Sequence, residues 1–274
     1  MSPKLTWLVA ALLVCASCNE DKTLQPTVSL DNTDVSTGFV QHLAPGTGID
    51  FANKITETAE LNPFTFFNVY NGGGVAIADI DQDGLPDVYF TANQLENRLY
   101  RNKGGFQFED ITASAGVAGV GGWTTGVTTA DVNADGLLDL YVCRSGPEGT
   151  APADLQNLLY INNGDATFTE SARLYGLIDE AQSNHAAFFD YDRDGDLDLY
   201  LVNHPLGFGD HIQTRLKKAQ APTNQESDRV FRNNGNGSFE DVTDAAGLRN
   251  YGFGLSISVA DLDNDRVGFR AGWR

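Results

Sequence analysis

Cations are scarce in this sequence: 18 Lys and Arg stand against 37 Asp and Glu, a net charge of −19. A surface of that sign repels phosphate backbones and excludes most nucleic-acid binders. Methionine occurs once, cysteine three times and histidine four times. No internal apolar run is long enough to cross a bilayer as a helix. A G-x-S-x-G elbow, an H-E-x-x-H pair and a P-loop are all missing, so the common hydrolase and nucleotide-binding signatures are absent. Glycine is abundant at 29 residues, often as Asp-Gly or Asn-Gly, beside 41% hydrophobic residues. That mixture predicts a turn-rich β protein with a sizeable core.

The N-terminus reads as an address. Lys4, the apolar run 5–14 and Ala16-Ser17 before Cys18 resemble a bacterial lipoprotein signal, with Cys18 the lipidated residue and Cys15 the poorer candidate. The resemblance implies an exported chain on the outer membrane or cell surface, otherwise periplasmic or secreted, touching membrane only through its lipid. The expected boundaries are a signal at 1–17, a linker at 18–45, a lead-in segment at 46–71 and repeats over 72–274. Loss of Cys15 and blocking of Cys18 leave Cys143 alone, so no internal disulfide can form. Stability must then come from core size or bound metal.

The repeats are visible as four apolar stretches running into Asp clusters: VAIADIDQDGLPD from Val75, GVTTADVNADGLLD from Gly126, AAFFDYDRDGDLD from Ala186 and LSISVADLDNDR from Leu255. Blocks beginning NRLYRN at Asn97, NLLYINN at Asn157 and RVFRNN at Arg229 also match one another. The interval from Tyr100 to Asp131 recurs within one residue from Tyr160 to Asp190 and from Phe231 to Asp261, whereas the interval from each Asp cluster to the next aromatic lengthens along the chain. Constant spacing marks packed structure, and variable spacing marks surface insertions, here 145–154 and 205–227, the natural places for partner contact. Strands are expected at 75–79, 87–92, 97–102 and 106–112, with Asn/Gly turns at Gly104, Gly164 and Gly235 closing the last hairpins. Helices are nearly excluded from these units. A tandem four-stranded antiparallel meander is a β-propeller blade, so the expected fold is an all-β propeller with blades at about 72–121, 122–182 and 183–250 and a partial fourth at 251–274.

The chemistry lies in loops of the form D-x-[DN]-x-D-G-x-x-D: Asp79, Asp81, Asp83, Asp87; Asp131, Asn133, Asp135, Asp139; and Asp190, Asp192, Asp194, Asp198. Alternate carboxylates on a tight loop can converge on a hard cation such as Ca2+, which takes about 6–8 oxygen ligands. Glycine at position 6 permits the turn, the position-7 carbonyl of Leu85, Leu137 or Asp196 can add a ligand, and the position-9 Asp closes the cage. An EF-hand is excluded because Phe90, Val142 and Leu201 stand where its closing Glu belongs. The reading is three calcium sites, the second weakened by Asn133 and the third strengthened by Asp196. The fourth loop, Asp261, Asp263 and Asp265, has Arg266 in place of Gly and Phe269 in place of the closing Asp, and is expected to be incompetent. The terminal RVGFRAGWR has no counterpart in the other repeats, which reads as a truncated or frame-shifted copy of a longer protein.

These repeats resemble FG-GAP or VCBS repeats of integrin α-type propellers, and GGGVAIADIDQDGLPDVYF from Gly72, LYRN from Leu99, AGV from Ala115 and GIDF from Gly48 resemble ASPIC/UnbV-type proteins related to cartilage acidic protein. The likeness runs over residues 46–265. It implies calcium on the loops above and extracellular adhesion or binding of a protein or glycan ligand, without catalysis. Two alternatives remain open at this stage: a propeller attached to a glycan-acting enzyme, or a non-functional truncated product. His185 and His204 are expected to flank the third blade's first two strands in structural or surface roles, with a shared transition-metal or ligand site at one blade edge as the alternative, and Trp123, Phe188, Phe189 and Tyr191 to serve blade packing in preference to a sugar platform.

Overall fold

A computed structural model of the protein describes residues 40–205, 212–220 and 222–260. The leader with Cys15 and Cys18, and the fourth loop with Asp261, Asp263, Asp265, Arg266 and Phe269, lie outside the described residues.

Twelve strands form three four-stranded antiparallel sheets, each a meander in chain order. The first holds β1 (Val75–Ala78), β2 (Asp87–Phe90), β3 (Arg98–Asn102) and β4 (Phe108–Asp110). The second holds β5 (Trp123–Ala130), β6 (Asp139–Ser145), β7 (Leu158–Asn162) and β8 (Phe168–Glu170). The third holds β9 (Gln182–Phe189), β10 (Asp198–His204), β11 (Arg229–Asn233) and β12 (Phe239–Asp241). These are propeller blades. The first strands lie side by side, β5 against β1 and β9 against β5. Their approach is close enough that a Cβ on Gly126 would sit 2.4 Å from the Asn184 carbonyl oxygen, which is why a glycine stands there.

Every residue of β6 and β10 is buried, and successive side chains enter the cores on either side, Leu140 and Val142 on one and Tyr141 and Cys143 on the other. One cluster joins Ala76, Tyr89 and Leu99 to Val127, Leu140 and Phe168. The next joins Tyr141, Leu159 and Leu177 to Ala186, Leu199 and Phe239. A third sets Phe189, Tyr200 and Val230 against Leu248 and Ile257, so residues 248–257 cover the third blade. Each fully buried Leu or Val contributes about 1.5–3 kcal/mol, and the cores are therefore what hold blade to blade.

Helix enters more than the sequence implies, as single turns α1 (Ala44–Thr47), α2 (Thr112–Ala115), α3 (Pro152–Leu155) and α4 (Ala172–Tyr175), and as the nine-residue α5 (Ile212–Gln220) inside the longest insertion. The turns α1, α2 and α4 end on left-handed glycines, Gly48, Gly116 and Gly176, with φ of 80°, 76° and 76°. Each glycine faces the carbonyl that opens a fourth strand: Phe108 for Gly48, Phe168 for Gly116 and Phe239 for Gly176. The lead-in segment thus docks on blade one as each blade's own turn docks on the blade that follows. Phe51 stacks on Phe90 at 4.9 Å, and Asp50 accepts the Tyr100 hydroxyl at 2.9 Å.

Candidate metal centres

The three Asp loops share one backbone conformation. Gly84, Gly136 and Gly195 at position 6 have φ of 86°, 88° and 96°. Position 4 is left-handed as well, on Gln82, Ala134 and Arg193 at 58°, 58° and 67°, and nothing in those side chains announces it. The position-1 carboxylate explains how the strain is held. Asp79 accepts the Asp83 and Gly84 N–H groups at 3.1 and 2.9 Å, and Asp131 those of Asp135 and Gly136 at 3.0 and 2.8 Å. Asp190 accepts from Arg193 and Gly195 at 2.6 and 3.1 Å. Position 5 then accepts the position-7 N–H: Leu85 to Asp83, Leu137 to Asp135 and Asp196 to Asp194.

Position 9 opens the second strand and is buried, with Asp87, Asp139 and Asp198 at most 1% exposed. One oxygen of each accepts the position-2 N–H (Ile80, Val132, Tyr191) and the other accepts the N–H that ends the third strand (Asn102, Asn162, Asn233), all at 2.7–3.0 Å. Burial lifts these carboxyls above their ordinary value, Asp139 and Asp198 to about 6, against the downward pull of those two bonds. The sequence reading missed the partner Asn. Asn162 and Asn233 also donate their side-chain amides to the preceding blade's position-2 carbonyls, Ile80 at 2.8 Å and Val132 at 3.3 Å, while their Oδ1 atoms accept the turn N–H of Gly164 and Gly235. Each therefore ties its own loop, its own hairpin and the neighbouring blade.

The loops differ in which carboxylates meet. Asp79, Asp81 and Asp87 each place one oxygen within 4.8 Å of the others, as do Asp190, Asp192 and Asp194; these are the acidic groups so gathered among the described residues. In the first, Asp81 Oδ1 is sealed from solvent without a hydrogen-bond partner. A buried anionic oxygen without a donor is costly, and a cation is the partner that fits an all-acceptor set. Asn133 instead donates to Asp135 at 2.9 Å, replacing a repulsion by a bond inside the second loop. Position 7 packs on the hairpin glycine: Leu85 near Gly104, Leu137 near Gly164, and the Asp196 carboxylate 2.7 Å from where a Gly235 Cβ would stand. Asp196 also lines a cavity shared with Asp131 and Asn133 of the preceding loop.

The opposite end of the blades is polar but uncharged over most of its network. Tyr89 and Tyr141 donate to the carbonyls of Val117 and Leu177, and Asn97 and Asn157 bond those tyrosines and the N–H groups of Ala92 and Arg144. Asp228 takes the same place in blade three, accepting Tyr200 and the Asn203 N–H. His204, 1% exposed, receives the Asn68 amide at 2.6 Å and is lowered to about 4 by burial. His185 lies within β9 and bonds the Ile257 N–H, so the two histidines serve different neighbours. Trp123 packs edge-on against Phe66, and Phe188 against Tyr141.

The FG-GAP-like repeat profile matches residues 79–142, 149–201 and 221–267, more than half of the sequence; the first stretch carries two full Asp loops, the second carries one and the third the incomplete fourth. The chain belongs to the FG-GAP-like repeat family. Among curated proteins it is similar to cartilage acidic protein 1 of Xenopus tropicalis, 31% identical over half of this chain and 20% of that protein. The human cartilage acidic protein 1 is 26% identical over 72% of this chain and 27% of its own length. The FG-GAP-like chain thus matches about a fifth to a quarter of these relatives' length. A solved structure from Agrocybe aegerita, described as recognising non-reducing terminal N-acetylglucosamine, is similar at a TM-score of 0.32 and 18% identity, over 61% of this chain and 36% of that one.

Proposed function

We propose that this FG-GAP-like protein is a calcium-stabilised propeller domain for binding or adhesion to a protein or glycan ligand, non-catalytic, and held at the cell surface by lipid on Cys18. The observation that carries the metal reading is the gathering of Asp79, Asp81 and Asp87 around a sealed, unpartnered Asp81 oxygen. Asp79, Asp81, Asp83 and Asp87 would hold the first ion, Asp190, Asp192, Asp194 and Asp198 the third, and Asp131, Asn133, Asp135 and Asp139 a weaker second. Calcium supplies positive charge where the chain supplies only acceptors. The position-9 carboxylates join that charge to β2, β6 and β10, so the ion would stiffen blade edges rather than take part in a reaction. Ligand contact falls to the opposite end and to the insertions.

Thermal unfolding of the full chain in calcium and in chelator tests this. Ion at one hundred times its dissociation constant stabilises by about 2.7 kcal/mol per site. Asp81→Ala should raise the melting temperature in chelator, by removing the sealed oxygen, and shrink the calcium response; Asp194→Ala should shrink it too. A melt indifferent to calcium in all three proteins would sink the metal reading.

A further inference from the structure

At the end of the inner strands remote from the Asp loops lies a cavity of about 270 Å³, walled by Asn71, Gly74, Gly126, His185, Leu255 and Ser256 among others. Two of its polar groups have a defined sense. The Ile257 N–H donates to His185 Nδ1 at 3.2 Å, so the ring proton sits on Nε2. That Nε2–H has no hydrogen-bond partner among the described residues, and its Cδ2 neighbour stands 3.2 Å from where a Cβ of Gly126 would be. Asn71 is oriented by a relay. His204 Nδ1 donates to the Pro205 carbonyl at 3.3 Å, leaving Nε2 to accept the Asn68 amide at 2.6 Å. Asn68 Oδ1 then accepts the Asn71 amide at 2.9 Å, which leaves Asn71 Oδ1 as an acceptor. A donor and an acceptor of set polarity stand beside the 65% exposed Leu255, and among the described residues no carboxylate, ammonium or guanidinium lines the space.

We propose that this cavity binds one uncharged, polyhydroxylated ring of hexose size, its hydroxyls meeting His185 Nε2–H and Asn71 Oδ1 and its apolar face resting on Leu255. This deepens the binding role proposed above and rests on it. A hydroxyl both donates and accepts, so a ring bearing several answers both wall groups at once. An anion would find no cation among the described residues of the wall and a protein of net charge −19 around it. A metal ion would find no carboxylate among the described lining residues, and the volume is below that of a drug-sized site, which suits one ring.

Saturation-transfer NMR on the full chain, with methyl glycosides of neutral hexoses and a methyl glucuronide as probes, decides it. The expected result is transfer from at least one neutral glycoside, preferred over the glucuronide, and weakened roughly tenfold by His185→Phe, which keeps the ring and loses the donor. His185→Phe also loses the Ile257 bond, so Ser256→Trp, which fills the cavity from an exposed position and gives up only the 3.4 Å contact of the Ser256 hydroxyl with His185 Nδ1, is the second variant and should abolish transfer with an unchanged melt. No transfer from any neutral glycoside to a cooperatively melting protein, a preference for the glucuronide, or transfer unaltered by Ser256→Trp overturns the proposal. If calcium leaves the melt unchanged while glycoside transfer persists and Ser256→Trp removes it, the metal reading falls and the cavity assignment stands.

Discussion

The two ends of each blade handle buried polarity in opposite ways. At one end Asp79, Asp81 and Asp87 gather acceptors only, and backbone N–H groups satisfy some of their oxygens while Asp81 Oδ1 stays without a partner. At the other, Asn, Ser, Thr, Gln, Tyr and His carry donors and acceptors together, Ser145 donating to Gln182 and Asn157 to Ser183, and the Asp228 carboxylate of blade three has the Tyr200 hydroxyl and the Asn203 N–H as donors. An uncharged mixed network closes on itself, whereas a carboxylate network closes only with something brought from outside. Stability is therefore expected to depend on added cation at the first end, where the raised Asp139 and Asp198 carboxyls also lose stability as pH rises through about 6, and at the second on pH falling through the His204 range.

The largest effect should come from Asp139→Ala, which leaves the buried N–H groups of Val132 and Asn162 without acceptors. Denaturant unfolding should show a loss of about 2–5 kcal/mol that persists in chelator. A loss confined to calcium buffer would show that position 9 serves the ion alone and would break the comparison. Next is His204. Its folded-state pKa is lowered to about 4, so the unfolded chain takes the proton first, and stability present above the unfolded value is lost as pH falls. Relative to His204→Gln, the wild type should lose about 1.4 kcal/mol per pH unit between about 6.5 and 4; parallel pH profiles for the two proteins would refute it.

Asn133→Asp sharpens the contrast between loops. Losing the Asn133 to Asp135 bond and adding charge should lower the melt in chelator and tighten calcium roughly tenfold, about 1.4 kcal/mol, by calorimetric titration. Unchanged affinity would mean that charge count does not rank the sites. The smallest effect is expected for Arg232→Ala, which removes an exposed 2.8 Å pair with Glu240 and should cost less than about 0.5 kcal/mol by denaturant titration.

Much of the fold was legible because it repeats. Asp clusters marked the ends of inner strands, Gly104, Gly164 and Gly235 marked hairpins, and constant spacing set blade against blade. The candidate sites were legible in type and not in membership: the sequence names the position-7 carbonyl as a metal ligand, and the structure adds that the position-7 side chain covers a hairpin glycine, placing Asp196 in a cavity with the preceding loop. Left-handed Gln82, Ala134 and Arg193 carry no glycine or asparagine to reveal them. The short helices escaped because a four-residue turn is too brief for a periodic pattern.

Taken alone, the sequence determined the blade, its strand order and the acidic loop, since each depends on residues close along the chain and on the period of two that strands impose. The tertiary structure decided which polar groups are satisfied. Asn162 meets Ile80 across a span of 82 residues, and Asn68 meets His204 across 136. Such pairs are set by how sheets stack, and hydrogen bonding is too short-ranged and directional for spacing along the chain to specify it.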